Sequence, residues 1–277
     1  MRQQRALAVH DISCVGKCSL TVALPIISAA GIEAAVLPTA VLSTHTGGFT
    51  GYTFRDLTED IGPISEHWQA LGVEFDAIYT GYLGSFRQLE LVEGLFARFG
   101  KGLVLVDPVM ADDGKLYPGF TADFPSGMAK LCKRADVIAP NLTEAALLLG
   151  EEYVKGPHDE AHIKGILGRL SAAFGGKIVL TGVSLEQGRL GAAHYDSATG
   201  ELGYAMEAHV EGYFHGTGDV FGSALLSALL RGKTLAQATQ VAVNFTVDAI
   251  KSTDPKREPR YGVCFEAALG RFITSLN

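Results

Sequence analysis

The sequence predicts an α/β fold in three layers: a mainly parallel central sheet with helices on both faces, built by residues 1–277 as a single domain. Three observations lead to it. Short apolar runs bounded by Gly, Pro, Asn or Asp alternate with longer helical patterns, as βαβ units do. The short runs are almost continuously apolar, which suits strands covered on both faces. With 277 residues and 47% hydrophobic composition, the chain can bury a substantial core.

Taken in order, the predicted strands are RALAVH at 5–10, EAAVLP at 33–38, DAIYTG at 76–81, GLVLVD at 102–107, DVIAP at 136–140 and KIVLTG at 177–182. Between them, helical patterns fall at 18–31, 64–72, 87–100, 121–134, 143–150 and 159–175. Residues 192–210 read as a hairpin, because the polar, turn-forming segment from Ser197 to Gly200 separates two extended stretches. From Gly218 onward the pattern is helical, interrupted by loop chemistry in DPKREPR at 254–260. The stretch HTGGFTGYTFRDLTED at 45–60 is polar, Gly-rich and without periodicity, as a segment covering a site can be.

Composition excludes several classes. Lys and Arg total 23 against 30 Asp and Glu, a formal charge of -7, and no basic run could track a phosphate backbone, so nucleic acid is not an expected partner. The N-terminal residues lead into an apolar run too short for a signal-peptide core. No stretch approaches the roughly 20 apolar residues of a membrane span, so a cytoplasmic protein without membrane contact is expected. Cys14, Cys18, Cys132 and Cys264 are too few and too scattered for a disulfide framework, and reduced thiols are expected. Cys14 and Cys18 are expected to pack as small apolar residues.

Chemistry concentrates in HGTGDVFGSALLSALL, from His215 to Leu230. Gly216-Thr217-Gly218-Asp219 stands where an apolar helix opens. Glycines there let several backbone N–H groups converge on one point, and the helix dipole favours an anion at it. Asp219 is itself negative, so beside a bound phosphate it needs a task, and removing a proton from an attacking hydroxyl is such a task. Taken alone, Asp219 could equally be an N-terminal cap. No P-loop and no Gly-rich dinucleotide fingerprint is present.

GTGD opening a late apolar helix resembles the anion hole of the ribokinase-like kinases. Four further stretches, THTG at 44–47, GYLGS at 81–85, DPVM at 107–110 and APNLTEA at 139–145, resemble the pyridoxal (vitamin B6) kinases in order and spacing over almost the whole chain. The resemblance implies a ribokinase-like fold, ATP, Mg²⁺ and transfer of the γ-phosphoryl group to the hydroxymethyl oxygen of a B6 vitamer. It makes Asp219 the catalytic base, with the amides of Gly216, Thr217 and Gly218 around the migrating group. It assigns Asp107, Asn141, Glu144 and Thr181 to ATP, with Asp107 and Glu144 also serving the metal. It sets Asp11, Ser13, His45, Thr46 and Tyr82 around the pyridine ring, and it implies a homodimer.

The residues also allow plainer roles. Asn141 and Thr143 could cap a helix, Asp107 could merely precede a Pro turn, and His45 could be a loop histidine bonding its own backbone. If Thr143 opens the helix, Glu144 points into the cleft. Thr181 departs from the resembled pattern, in which several relatives carry a lysine, and Asp11 stands where some relatives have serine. A carboxylate at 11 would pair with a protonated nitrogen and favour pyridoxamine. Lys115 is expected to be a solvated loop charge, while loops 45–54 and 111–120 could close over the reactants. The rival readings are a hydroxymethylpyrimidine kinase of the same fold, a carbohydrate kinase, and a nucleotide-binding regulator without turnover.

Overall fold

The computed structural model describes residues 2–254, 256 and 259–277, so Pro255, Arg257 and Glu258 of the loop expected at 254–260 lie outside the described residues. The elements follow as β1 (Arg5–Val15), α1 (Leu20–Ala29), β2 (Glu33–Thr44), β3 (Phe54–Asp56), α2 (Thr58–Ala70), β4 (Ala77–Thr80), α3 (Phe86–Phe99), β5 (Leu103–Val106), β6 (Ala111–Asp112), β7 (Lys115–Leu116), α4 (Phe124–Cys132), β8 (Val137–Ile138), α5 (Leu142–Leu149), α6 (Glu160–Phe174), β9 (Lys177–Val183), β10 (Arg189–Asp196), β11 (Leu202–Ala208), α7 (Thr217–Leu230), α8 (Leu235–Lys251) and α9 (Leu269–Ser275). Nine of the described strands form one sheet in the order β11-β10-β9-β8-β5-β4-β1-β2-β3. Its middle, from β9 through β8, β5, β4 and β1 to β2, is parallel, and β3, β10 and β11 are antiparallel additions at the edges.

Alternation along the strands builds the expected layers. Ala6 and Ala8 face a core shared with Val22 and Ile26 of α1, Ala224 and Leu225 of α7 and Phe245 of α8. Leu7 and Val9 face the opposite core, with Leu95 of α3, Met128 of α4 and Leu167 of α6. The small residues on the first face let α7 come close: a Cβ on Gly222 would fall on the hydroxyl of Tyr79.

Several expected boundaries shift. Strands β1 and β2 run on to Val15 and Thr44, because each keeps a parallel partner to its end, Val15 opposite Thr44. The segment 45–60 contains β3, which pairs antiparallel with β2, so pairing supplies an order that its sequence does not display. Helix α2 opens at Thr58, six residues earlier than the pattern at 64–72, where the Asp56 carboxylate accepts from the Thr58 N–H at 2.7 Å, and it runs through Pro63. A small hairpin, β6–β7, lies in the second loop.

Candidate active site

The carboxyl ends of the parallel strands converge on one cavity of about 670 Å³, a size that takes a cofactor-scale ligand. It is lined by Asp11, Ser19, His45, Thr46 and Tyr82, by Asp107, Asn141, Glu144 and Thr181, and by Gly216, Thr217, Gly218 and Asp219. Of the residues expected to form the site, Ser13 alone is not in the lining. It is fully buried behind Asp11, to which its hydroxyl donates at 3.1 Å.

Asp11 is aimed by a break in the ladder: the register between β1 and β2 shifts between His10 and Ile12. A bulge re-aims a strand side chain in this way. The Asp11 carboxylate is buried and accepts from both the Ser13 and Ser19 hydroxyls, the latter at 2.5 Å. Burial raises its pKa, against the pull of those two donors.

Gly216 caps α7 in the left-handed conformation, φ 78°, and a Cβ there would fall on the Lys17 carbonyl oxygen. Thr217 follows as the first helical residue, and its hydroxyl donates to the Phe214 carbonyl at 3.3 Å. The N-cap of that helix is Gly216, which has no side chain to cap it, and Asp219 stands in the first turn. Its Oδ2 accepts instead from the Ser19 N–H at 2.9 Å, which sets aside the plain capping role. The side chain is 15% exposed and lines the cavity. Burial pushes its carboxyl up to about 7, the Ser19 N–H opposing the rise and the charge of Asp11 adding to it. Beneath it, His10 is fully buried with its Nδ1 3.8 Å from Asp219 Oδ1. Burial lowers His10 to about 3, so its ring is neutral and the contact is no ion pair.

Asp107 follows β5, and Glu144 sits in the first turn of α5. That helix opens at Leu142 rather than Thr143, because Asn141 forms a capping box: its side chain accepts from the Glu144 N–H, and Glu144 Oε2 accepts from the Asn141 N–H at 2.9 Å. Glu144 Oε1 accepts from the Met110 N–H at 3.1 Å. The capping role and the place in the cavity therefore coexist in one carboxylate. Burial raises both acids, Glu144 to about 8, and the charge of Glu144 raises Asp107 further. Thr181 lies in β9, bridged to Asn141.

His45 shows the plainer arrangement. Its Nδ1 accepts from the Gly47 N–H at 3.1 Å, and its Nε2 lies 2.5 Å from the Arg260 carbonyl, to which it donates. Both nitrogens are thus engaged with backbone, and the ring offers the cavity its face and carbon edge. It also packs against His215, centroids 4.9 Å apart. Gly47 is required by that closeness, since a Cβ would land on the His215 ring. Residues of both expected covering loops reach the cavity: Gly47, Gly48 and Phe54 from the first, Asp112, Tyr117 and Pro118 from the second. Lys115 is exposed, as expected. Cys14 is exposed rather than packed, because it stands near the end of β1 where the burial pattern runs out, whereas Cys18 lines the cavity; both are free thiols. Sequence reasoning missed Ser19, His10, Tyr117 and Tyr213, whose involvement depends on chain crossings that no local pattern announces.

Five carboxylates line the cavity, from Asp11, Asp107, Asp112, Glu144 and Asp219, and no lysine or arginine lines it among the described residues. No group of three His, Cys, Asp or Glu side chains is poised to hold a metal among the described residues. Such a lining favours a cation carried in with its ligand, held by one or two carboxylates and by ligand oxygens. No helix among the described residues is long and apolar enough to cross a membrane.

The three-layer architecture places a glycine-framed helix N-terminus and an acid set in one cleft, an arrangement suited to phosphoryl transfer. Residues 24–262 match the phosphomethylpyrimidine kinase family, and the chain belongs to that family. A pyridoxine/pyridoxal/pyridoxamine kinase of Bordetella avium is 29% identical over 267 residues, 89% of this chain and 84% of that relative. The structure of a pyridoxal kinase from Lactobacillus plantarum superposes with a TM-score of 0.91 at 33% identity, over 99% of this chain and 98% of that one. A Bacteroides thetaiotaomicron protein of the phosphomethylpyrimidine kinase type, solved with pyridoxal, superposes with a TM-score of 0.92 at 36% identity, over 98% and 96% of the two chains.

Proposed function

We propose that this protein is an ATP-dependent kinase acting as one domain on the hydroxymethyl group of B6 vitamers, pyridoxal, pyridoxine or pyridoxamine. The observation that carries the reading is that Asp219 stands at the N-terminus of α7 in the same cavity as Asp11, Thr46 and Tyr82 and as Asp107, Asn141, Glu144 and Thr181. An alcohol and a polyphosphate bound in that cavity meet at Asp219. Tyr82 gives a flat ring an aromatic face, and Asp11 gives a protonated nitrogen its counter-charge.

In the reaction, Asp219 Oδ1 takes the hydroxyl proton while the alcohol oxygen bonds to the γ-phosphorus and the bond to the ADP oxygen breaks. Oδ2 is held by the Ser19 N–H, and Oδ1 accepts no hydrogen bond among the described residues. The amides of Gly216 through Asp219 stabilise charge on the equatorial oxygens, the main source of catalysis in phosphoryl transfer. Mg²⁺ would be held by Asp107 and Glu144, directly or through water, and would supply the positive charge that Thr181 does not. Exclusion of water falls to the loops at 45–54 and 111–120. A cytoplasmic homodimer belongs to the same reading.

ADP release from MgATP, measured with each vitamer, hydroxymethylpyrimidine and ribose in turn, tests it. Turnover is expected with at least one vitamer. Turnover with hydroxymethylpyrimidine alone would make the chain a pyrimidine kinase, and no acceptor-dependent ADP with any of them would favour a regulator.

A further inference from the structure

Ser19 occupies backbone space that L-residues rarely enter, with φ 57° and ψ -131°. Glycine would make this turn into α1 without strain. The serine there does two things at once. Its N–H donates to Asp219 Oδ2 at 2.9 Å, and its hydroxyl donates to Asp11 Oδ1 at 2.5 Å. Its carbonyl meanwhile starts α1 by accepting from the N–H groups of Val22 and Ala23, at 3.0 and 2.9 Å. The two acids it touches repel each other, the charge of Asp11 being one of the influences on Asp219. Ser19 is buried and lines the cavity between them.

From this geometry we infer that Ser19 is a positioning residue that clamps the acceptor-side carboxylate of Asp11 and the base Asp219 in fixed relation, so that an acceptor bound at Asp11 presents its hydroxyl to Asp219. The inference rests on the reading of the site given above. The strained backbone aims the N–H at Asp219, and the hydroxyl stops Asp11 from turning away from the cavity. Losing the hydroxyl removes the shorter of the two serine hydroxyl bonds to Asp11 and leaves the one from Ser13.

Ser19→Gly separates the two functions, because glycine tolerates the φ and keeps the N–H but has no hydroxyl. Its acceptor KM is expected to rise about tenfold, the worth of one hydrogen bond to a charged group. Its kcat should fall far less, and its KM for ATP should stay within about twofold, which a merely structural lesion would not respect. Introduced into Asp11→Ala protein, the same change should add nothing further to acceptor KM. An unchanged acceptor KM in Ser19→Gly, or independent effects that multiply in the double variant, would overturn the inference.

Should no acceptor be turned over, the proposed function fails but the clamp does not. It is then measured by thermal unfolding of the same four proteins at pH 8, where non-additive shifts in Tm are expected and additive shifts would overturn it. Ser19→Ala, which keeps the strain and loses the hydroxyl, should melt below Ser19→Gly.

Discussion

If Asp219 is the base, as proposed, the demands of stability and of catalysis oppose each other there. A carboxyl that burial has pushed up to about 7 is a poor group to ionise inside a protein and a well-matched base near neutral pH. Replacing it by asparagine should therefore lower kcat by a factor of about 10²–10⁴, the usual worth of a positioned base. The same change should raise Tm at pH 8 by a few degrees, since an amide oxygen can keep the Ser19 N–H contact and the change ends the repulsion with Asp11. A variant that is inactive and also less stable would mean that the carboxylate is structural. The pH profile has a fixed sign: the base must be unprotonated, so kcat/KM of the unmodified protein should fall tenfold per unit as pH drops below about 7. A profile flat from pH 5 to 8 would remove Asp219 from the role of base.

Two glycines at the opening of α7 are there for different reasons, and the difference can be tested. Gly216 is required by the protein itself, through its positive φ and the Lys17 carbonyl that a Cβ would strike. Gly216→Ala should cost about 2 kcal/mol or more of stability and most of the activity. At Gly218 nothing lies within 4 Å of an added Cβ. Gly218→Ala should thus leave Tm within about 2 °C while impairing turnover, because only a bound phosphoryl group would meet the new methyl. If both variants behave alike in the two assays, the opening of α7 is not shaped around a ligand. The sequence made this element legible: a GTGD cluster before a long apolar run is a local signal, and so were the near-continuous apolar strands of the parallel sheet. Illegible were the contacts between distant segments. Asp11 and Ser19 meet Asp219 across some 200 residues, as the Ser19–Asp219 bond shows, and β3 exists only through its partner β2. The capping box at Asn141 was readable as a cap and as a site, and a single sequence offers no way to see that one carboxylate serves in both places.

Across the whole molecule, the charges of the cleft should make folding stability depend on pH in a way that a ligand can relieve. Asp11, Asp107, Glu144 and Asp219 all have folded pKa values raised above those of the unfolded chain, with burial the first cause for each. Their contribution is fully present below about pH 4 and is lost as pH rises through the folded values, about 7 for Asp219 and about 8 for Glu144. The buried and half-buried histidines His10, His45 and His215 have the opposite sign. Burial lowers each of them, so their contribution is present above the unfolded histidine value of about 6.5 and is lost as pH falls below it. Above about pH 6.5 the histidine contribution is complete and only the acids still titrate, so stability should decline from pH 6.5 toward pH 8.5. Glu144 and Asp219 lose their protons within that window, so Tm should fall by several degrees. A divalent cation drawn to Asp107 and Glu144 competes with protons for the same oxygens, so Mg²⁺ should raise Tm more at pH 8.5 than at pH 6.5. Differential scanning at the two pH values, with and without MgCl₂, decides it: an equal Mg²⁺ effect at both would mean that these carboxylates do not meet the metal, and a Tm that climbs steadily to pH 8.5 would mean that the cleft is not under the electrostatic stress that its five acids imply.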